Sequence, residues 1–384
     1  MYLPSLVASA LLASSVVAKH CQNFSVPVTL CARNGAFNLP TLQDNHDATT
    51  FFANFTNPGG NFSNEVLLGY RTIDRTYDIS VKFCQPDTGF GQDPTVQFLT
   101  HGIGFDKTYW DLPYNSYSYS YIDVAVDQYG FSTLSIDRLG IGNSSIADPL
   151  SIIQAPAEVS AIYELTMMLR RGSLPGVPRA FSKIVHVGHS LGSILSYNLA
   201  AMDPTASDGL ILTAFSQDFA YIDATFDAWG SKLARNDQPQ RFGDLPTGYL
   251  TWANASCNEK TFLYPGFFDP AILQFSESTK EPLTTGEVLT LGGSPSTVPG
   301  FKGPVQVLVG NQDFIFCGGD CMATGDPALA GGSIPGGVTK AFPAAKAFEV
   351  YIQPNTGHAI NLHYNATAAY KATQEFLIAQ GLGP

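Results

Sequence analysis

The chain reads as an α/β protein with a mostly parallel central sheet flanked by helices. Two observations predict this. Short β-branched runs alternate with stretches of helical apolar spacing, and turn residues close most of the runs. Residues 77–84 (YDISVKFC) alternate like an early strand at a sheet edge. Residues 95–100 (TVQFLT) read as a strand ending at His101-Gly102, and 132–136 (STLSI) as the next, ending at Asp137. Between them, 121–129 look helical. Residues 155–171 carry apolar positions at helical spacing, with Glu158 and Glu164 early and Arg170-Arg171 late, the charge order that a helix dipole favours. Strands follow at 183–187 (KIVHV) and 209–215 (GLILTAF), with a helix starting just after Ser190.

Repetition then breaks from 216 to about 302, in a segment rich in aromatics, Pro and Gly. It resumes with strands at 304–309 and 348–352 and a last helix at 366–380. Both ends of the irregular block attach to the same sheet. It is expected to be an insertion above that sheet, a lid, because structureless loops of such length are unusual unless they cover a site. The proposed organisation is a leader at 1–18 and one domain at 19–384.

Residues 1–18 carry no charged side chain, are largely apolar and end in small residues, the pattern of a secretory signal. Six cysteines and six N-x-[ST] sequons (Asn23, Asn54, Asn61, Asn143, Asn254, Asn365) lie beyond it, as expected of an exported, disulfide-bonded glycoprotein. Spacing suggests Cys317–Cys321 and Cys21–Cys31 as local bridges, leaving Cys84 with Cys257 to tether the lid. A metal site is disfavoured by the lack of clustered Cys-His spacing. A formal charge of −12 without a basic cluster argues against a nucleic-acid partner. The leader is short for a bilayer span, so no stable membrane span is expected. Oligomeric state is left open. The polar aromatic stretch 114–121 (YNSYSYSY) reads as a loop or lid-facing surface.

Gly188-His189-Ser190-Leu191-Gly192 places G-x-S-x-G between a β-branched strand and a helix. That turn presents a serine hydroxyl out of the sheet, and the glycines let strand and helix approach closely. A serine nucleophile needs two backbone N–H groups for the developing oxyanion. Leu191, directly after the serine, is one candidate; Ile103 or Gly104 in the loop after 95–100 is the other. His101 is expected to hydrogen-bond backbone in that loop.

Taken in order, H-G-x-G at 101–104, D-R-x-G-x-G-x-S at 137–144, G-H-S-x-G at 188–192, a late Asp and a later Gly-His resemble the α/β-hydrolase superfamily across nearly the whole mature chain. The branch most resembled holds esterases, lactonases, prolyl aminopeptidases and epoxide hydrolases. The resemblance implies an α/β-hydrolase fold with its lid after the sixth strand, and Ser190, Asp313 and His358 as the catalytic triad. His363 competes as base, and Asp218, Asp320 and Asp326 compete as acid. His186 and His189 read as packing or rim residues, and the D-R-x-G-x-G element as structural.

The expected activity is hydrolysis of a carboxylic ester or lactone through an acyl-enzyme, without a cofactor, by a protein secreted from a cell such as a filamentous fungus. Alternatives on the same fold are acyl transfer, cyclisation or elimination on a specialised metabolite, an aminopeptidase, or a non-catalytic ligand-binding protein. Epoxide hydrolysis is disfavoured because those relatives carry aspartate where Ser190 stands.

Overall fold

Every second residue from Val26 to Ala32 is buried while its neighbours face water, the period-two pattern of a half-solvated strand. In the computed structural model, which describes residues 19–324 and 332–384, these residues belong to a long first strand, β1 (Lys19–Phe37). It pairs antiparallel with β2 (Leu67–Pro86) along its whole length. The proposed leader and Asp326 lie outside the described residues.

The remaining strands of the main sheet are β3 (Thr95–Thr100), β4 (Ser132–Ile136), β5 (Lys183–His189) and β6 (Gly209–Thr213). A second, three-stranded antiparallel sheet follows: β7 (Lys232–Leu233), β8 (Tyr249–Thr251) and β9 (Leu283–Thr284). The main sheet closes with β10 (Pro304–Gly310) and β11 (Ala347–Gln353).

Its order is β1-β2-β4-β3-β5-β6-β10-β11, parallel from β4 to β11 and antiparallel at the β1/β2 and β2/β4 pairs. β3 and β4 are buried throughout, as central strands covered on both faces should be. Helices Ala155–Arg171 and Leu191–Met202 cover the sheet, the first closing on Gly172 in the left-handed conformation. The expected helix at 121–129 is a short π-helix, Asp123–Gln128, burying Val124, Ala125 and Val126. Among the described residues no helix is long and apolar enough to cross a membrane.

The segment between β6 and β10 packs as short helices around the small sheet, and a buried charge cluster ties it to the main sheet. Arg138, just after β4, is 1% exposed. It donates to Glu158 Oε1 at 2.5 Å and to Glu287, which also closes the capping box of lid helix Thr285–Thr290.

The cysteines pair differently from the spacing-based expectation. Cys21 and Cys84 face each other across β1 and β2 and form a disulfide. Cys21 and Cys31 lie ten residues apart on one extended strand, roughly 30 Å at 3.3 Å per residue, too far to bridge. Cys84 is thereby used, so Cys257 makes no tether; Cys31 and Cys257 are free thiols. Cys317–Cys321 is bridged as expected.

Candidate active site

β5 runs directly into Ser190, whose backbone sits at φ 54°, ψ −117°, a conformation non-glycine residues rarely adopt. The two flanking glycines make that turn possible. A methyl group at Gly188 would lie 2.4 Å from the Gly192 carbonyl oxygen, and one at Gly192 would lie 2.1 Å from that of Thr100. Helix Leu191–Met202 starts at once, and the Ser193 and Ile194 amides already bond to the Ser190 carbonyl. The Leu191 amide, at the first helical position, has no intrahelical acceptor.

The loop after β3 lies against this turn. A Cβ on Gly102 would come within 2.9 Å of Ser190 Cβ and 3.0 Å of the His189 carbonyl oxygen. The Gly102 carbonyl accepts from His101 Nδ1 at 2.8 Å, while His101 Nε2 accepts from the Arg138 amide at 3.0 Å. His101 is therefore a neutral imidazole locked between backbone groups, and burial holds its pKa well below the ordinary range. Gly104 turns at φ 83° directly over the Trp252 ring, with its carbonyl bonded to the Glu281 amide of the lid segment.

Asp313 follows β10 and His358 follows β11. Both are fully buried, and His358 Nδ1 donates to Asp313 Oδ2 at 2.7 Å. The other carboxylate oxygen caps the turn Phe314–Cys317, accepting from the Phe316 amide at 2.9 Å. Because a carboxylate only accepts, Nδ1 carries the proton and Nε2 presents its lone pair. Nε2 is buried and has no hydrogen-bond partner among the described residues, Ser190 included. Rings of His189, Phe262 and Phe316 surround the imidazole with centroids 5.2, 5.8 and 5.9 Å away.

The competing residues are engaged elsewhere. His363 Nε2 accepts from the Gly357 and Tyr264 amides, both at 3.0 Å, and Nδ1 donates to the Ala359 carbonyl. It fastens the loop that carries His358, and burial pushes its pKa down to about 4. Asp218 is exposed and caps the Ala220 amide; Asp320 is exposed and bonds the Met322 amide. His186 bonds Thr166, and His189 stacks on Tyr109 at 4.3 Å and bonds its hydroxyl.

Sequence reasoning missed the aromatic residues that enclose the serine. Phe226, Trp229 and Phe262 from the lid, with Phe316, border a small cavity together with Ser190, Leu191 and Ile103. The aromatic richness of 216–302 signalled a cover, but nothing in the spacing marked which rings turn inward. Gly104 does not border the cavity. Of the stretch 114–121 only 115–118 are exposed, with Asn115, Ser116 and Tyr117 in consecutive positive-φ conformations; the Tyr114 hydroxyl bonds Asp269, and Tyr119, Ser120 and Tyr121 are buried.

Comparisons with known proteins agree with this architecture. No curated protein matches the chain in sequence. Among solved structures it is similar to a thermophilic esterase from Thermogutta terrifontis (16% identity, TM-score 0.51, 79% of this chain and 94% of that one). It is also similar to an enol-lactonase from Burkholderia xenovorans LB400 (14%, 0.51, 79% and 97%) and to an epoxide hydrolase from Vigna radiata (15%, 0.50, 79% and 95%). At such identities these likenesses speak for the fold alone. The model of the alpha/beta hydrolase family matches residues 98–370, from β3 into the last helix, and the chain belongs to that family.

Proposed function

We propose that this protein is a secreted serine hydrolase that cleaves a carboxylic ester or lactone through an acyl-enzyme. The observation that carries the reading is the buried Asp313–His358 pair with a free Nε2 lone pair, its imidazole packed against His189, which precedes a serine held at positive φ, and against Phe262 and Phe316, which border the cavity at that serine. In this mechanism Ser190 is the nucleophile. His358 takes its proton as Oγ attacks the carbonyl carbon, and Asp313 holds the imidazole tautomer and stabilises the imidazolium. His358 then returns the proton to the leaving oxygen, and water releases the acyl group by the same steps in reverse order.

The backbone supports Leu191 and Ile103 as oxyanion donors. In a trans peptide the carbonyl and the next amide point in opposite directions. The Gly102 carbonyl points at His101, so the Ile103 amide points away from it, in a loop touching Ser190. Gly104 serves close packing against Trp252. Asn23, Asn54, Asn61, Asn143 and Asn254 are exposed, which favours the exported-glycoprotein part of the reading. Asn365 is partly buried, and its amide is spent on the Pro354 carbonyl at 2.6 Å.

A panel of nitrophenyl esters and lactones run against wild type and Ser190→Ala tests the activity. Turnover confined to the wild type supports it, and equal turnover by a folded Ser190→Ala protein refutes it.

A further inference from the structure

The cavity beside Ser190 has a chemistry and a size. Of the side chains bordering it, only Ser190, Thr225 and Trp229 carry a polar atom. Two of these three are already used: Thr225 Oγ1 donates to the Tyr221 carbonyl at 2.9 Å, and Trp229 Nε1 donates to Thr261 Oγ1 at 3.0 Å. A charged or hydroxylated group placed there would lose its water and find no partner, which disfavours such groups. An amino group, which an aminopeptidase must bind, would meet no carboxylate.

The cavity leaves about 30 Å³ for the centre of a water-sized group. One such group needs roughly 10–15 Å³, so two or three non-hydrogen atoms fit. The rings that border it are interlocked, not single side chains free to swing. Trp229 lies nearly parallel to Phe262 at 6.0 Å and edge-on to Phe226 at 5.2 Å, and Phe226 stacks on Phe52 at 5.0 Å.

The position says which half of the substrate enters. Ser190, Leu191 and Ile103 border the cavity and His358 does not. The leaving oxygen must depart beside His358, which protonates it, so the group lying away from His358 is the acyl tail.

We propose that this cavity is the acyl pocket and that it takes short, uncharged, unsubstituted acyl groups, acetyl to butyryl, with Trp229 and Phe226 setting the limit. The proposal rests on the ester-hydrolase reading above. In the step concerned, the Ser190 Oγ–carbonyl bond forms and the ester C–O bond breaks. The serine proton passes through His358 to the departing alkoxide, and no oxidant or cofactor takes part. A longer tail would have to displace packed rings, and overpacking of that kind costs about 1–3 kcal/mol, roughly 5- to 150-fold in rate.

The test measures kcat/KM on p-nitrophenyl acetate, butyrate, hexanoate and octanoate for wild type, Trp229→Ala and Phe226→Leu. It also follows adduct formation by wild type with ethyl p-nitrophenyl phosphonates bearing methyl or octyl on phosphorus. Hexanoate is expected to fall at least tenfold below butyrate in wild type, and the methylphosphonate to react much faster than the octyl compound. The hexanoate-to-acetate ratio should rise at least tenfold in either variant. Because that ratio is taken within one preparation, partial misfolding does not alter it. A wild-type optimum at hexanoate or octanoate overturns the acyl-pocket proposal while leaving the serine-hydrolase reading intact. So does a hexanoate-to-acetate ratio that stays at the wild-type value in both variants. No turnover together with no phosphonate adduct overturns both.

Discussion

His358 Nδ1 donates to Asp313 Oδ2 at 2.7 Å, and both side chains are fully buried at the ends of adjacent strands β11 and β10. Under the proposed mechanism Asp313→Asn offers His358 the wrong group and favours the wrong tautomer, so kcat should fall by roughly 10³–10⁴-fold with the fold retained. His358→Ala should be at least as damaging. Asp218→Asn should be close to neutral, since that carboxylate is exposed on another loop; a large loss there with Asp313→Asn unaffected would reassign the acid.

Much of this arrangement is legible in the sequence because its carriers are local. G-x-S-x-G, the strand runs 95–100 and 132–136 and the helix 155–171 each announce themselves within a few residues, and the structure has them at those positions. β1 was not legible in the same way. Its alternation is clear only from Val26 to Ala32; Pro27 interrupts it, and the flanks are polar because the ribbon is largely solvated. With β1 unseen, the short spacing of Cys21 and Cys31 reads as a local bridge, and the true partner of Cys21, across a strand pair 63 residues away, is out of reach. The inward-facing lid aromatics depend on packing between distant segments and leave no periodic trace.

Four buried histidines, His101, His186, His189 and His363, have pKa values lowered chiefly by burial, His186 to about 3 and His363 to about 4. Unfolding frees each to bind a proton, so the unfolded state takes up more protons below the ordinary imidazole value of 6.5. Their contribution is complete above pH 6.5 and is lost as pH falls toward the folded values. Near pH 5 each should steepen the fall in unfolding free energy by about 1.4 kcal/mol per pH unit. Urea titrations between pH 5 and 6 check this: His363→Gln should have a slope shallower by about that amount, and equal slopes would remove His363 from the account.

Arg138, Glu158 and Glu287 fasten the lid helix Thr285–Thr290 to the main sheet from a fully buried position. Glu287→Ala leaves Arg138 short of a partner and should destabilise by about 3–5 kcal/mol. Replacing both, as Arg138→Met with Glu287→Leu, should recover much of that, because burial already raises the Glu158 pKa and lets it go neutral. Thermal melts of the two proteins decide it; a double variant no more stable than Glu287→Ala would contradict the buried-charge explanation.

Non-reducing peptide mapping should find Cys21 joined to Cys84 and Cys317 to Cys321. Under native conditions an alkylating reagent should reach Cys31, which is exposed, faster than Cys257, which is half-buried. A Cys84–Cys257 peptide would contradict the strand register of β1 and β2.

If the protein is exported as proposed, mass mapping of the secreted form should place glycans among Asn23, Asn54, Asn61, Asn143 and Asn254 and leave Asn365 bare. Its side-chain amide is held by the Pro354 carbonyl and its carbonyl oxygen by Thr356. A fully occupied Asn365 would mean that the loop after β11 is open when the chain is modified.

The central claim is that Ser190 is the nucleophile, and intact-protein mass spectrometry with a small fluorophosphonate tests it most directly. Wild type should gain a single adduct, mapped to the peptide containing Gly188-His189-Ser190-Leu191-Gly192, and should lose its esterase activity in proportion. Ser190→Ala should gain none. An adduct on another residue, or full labelling of Ser190→Ala, would contradict the account.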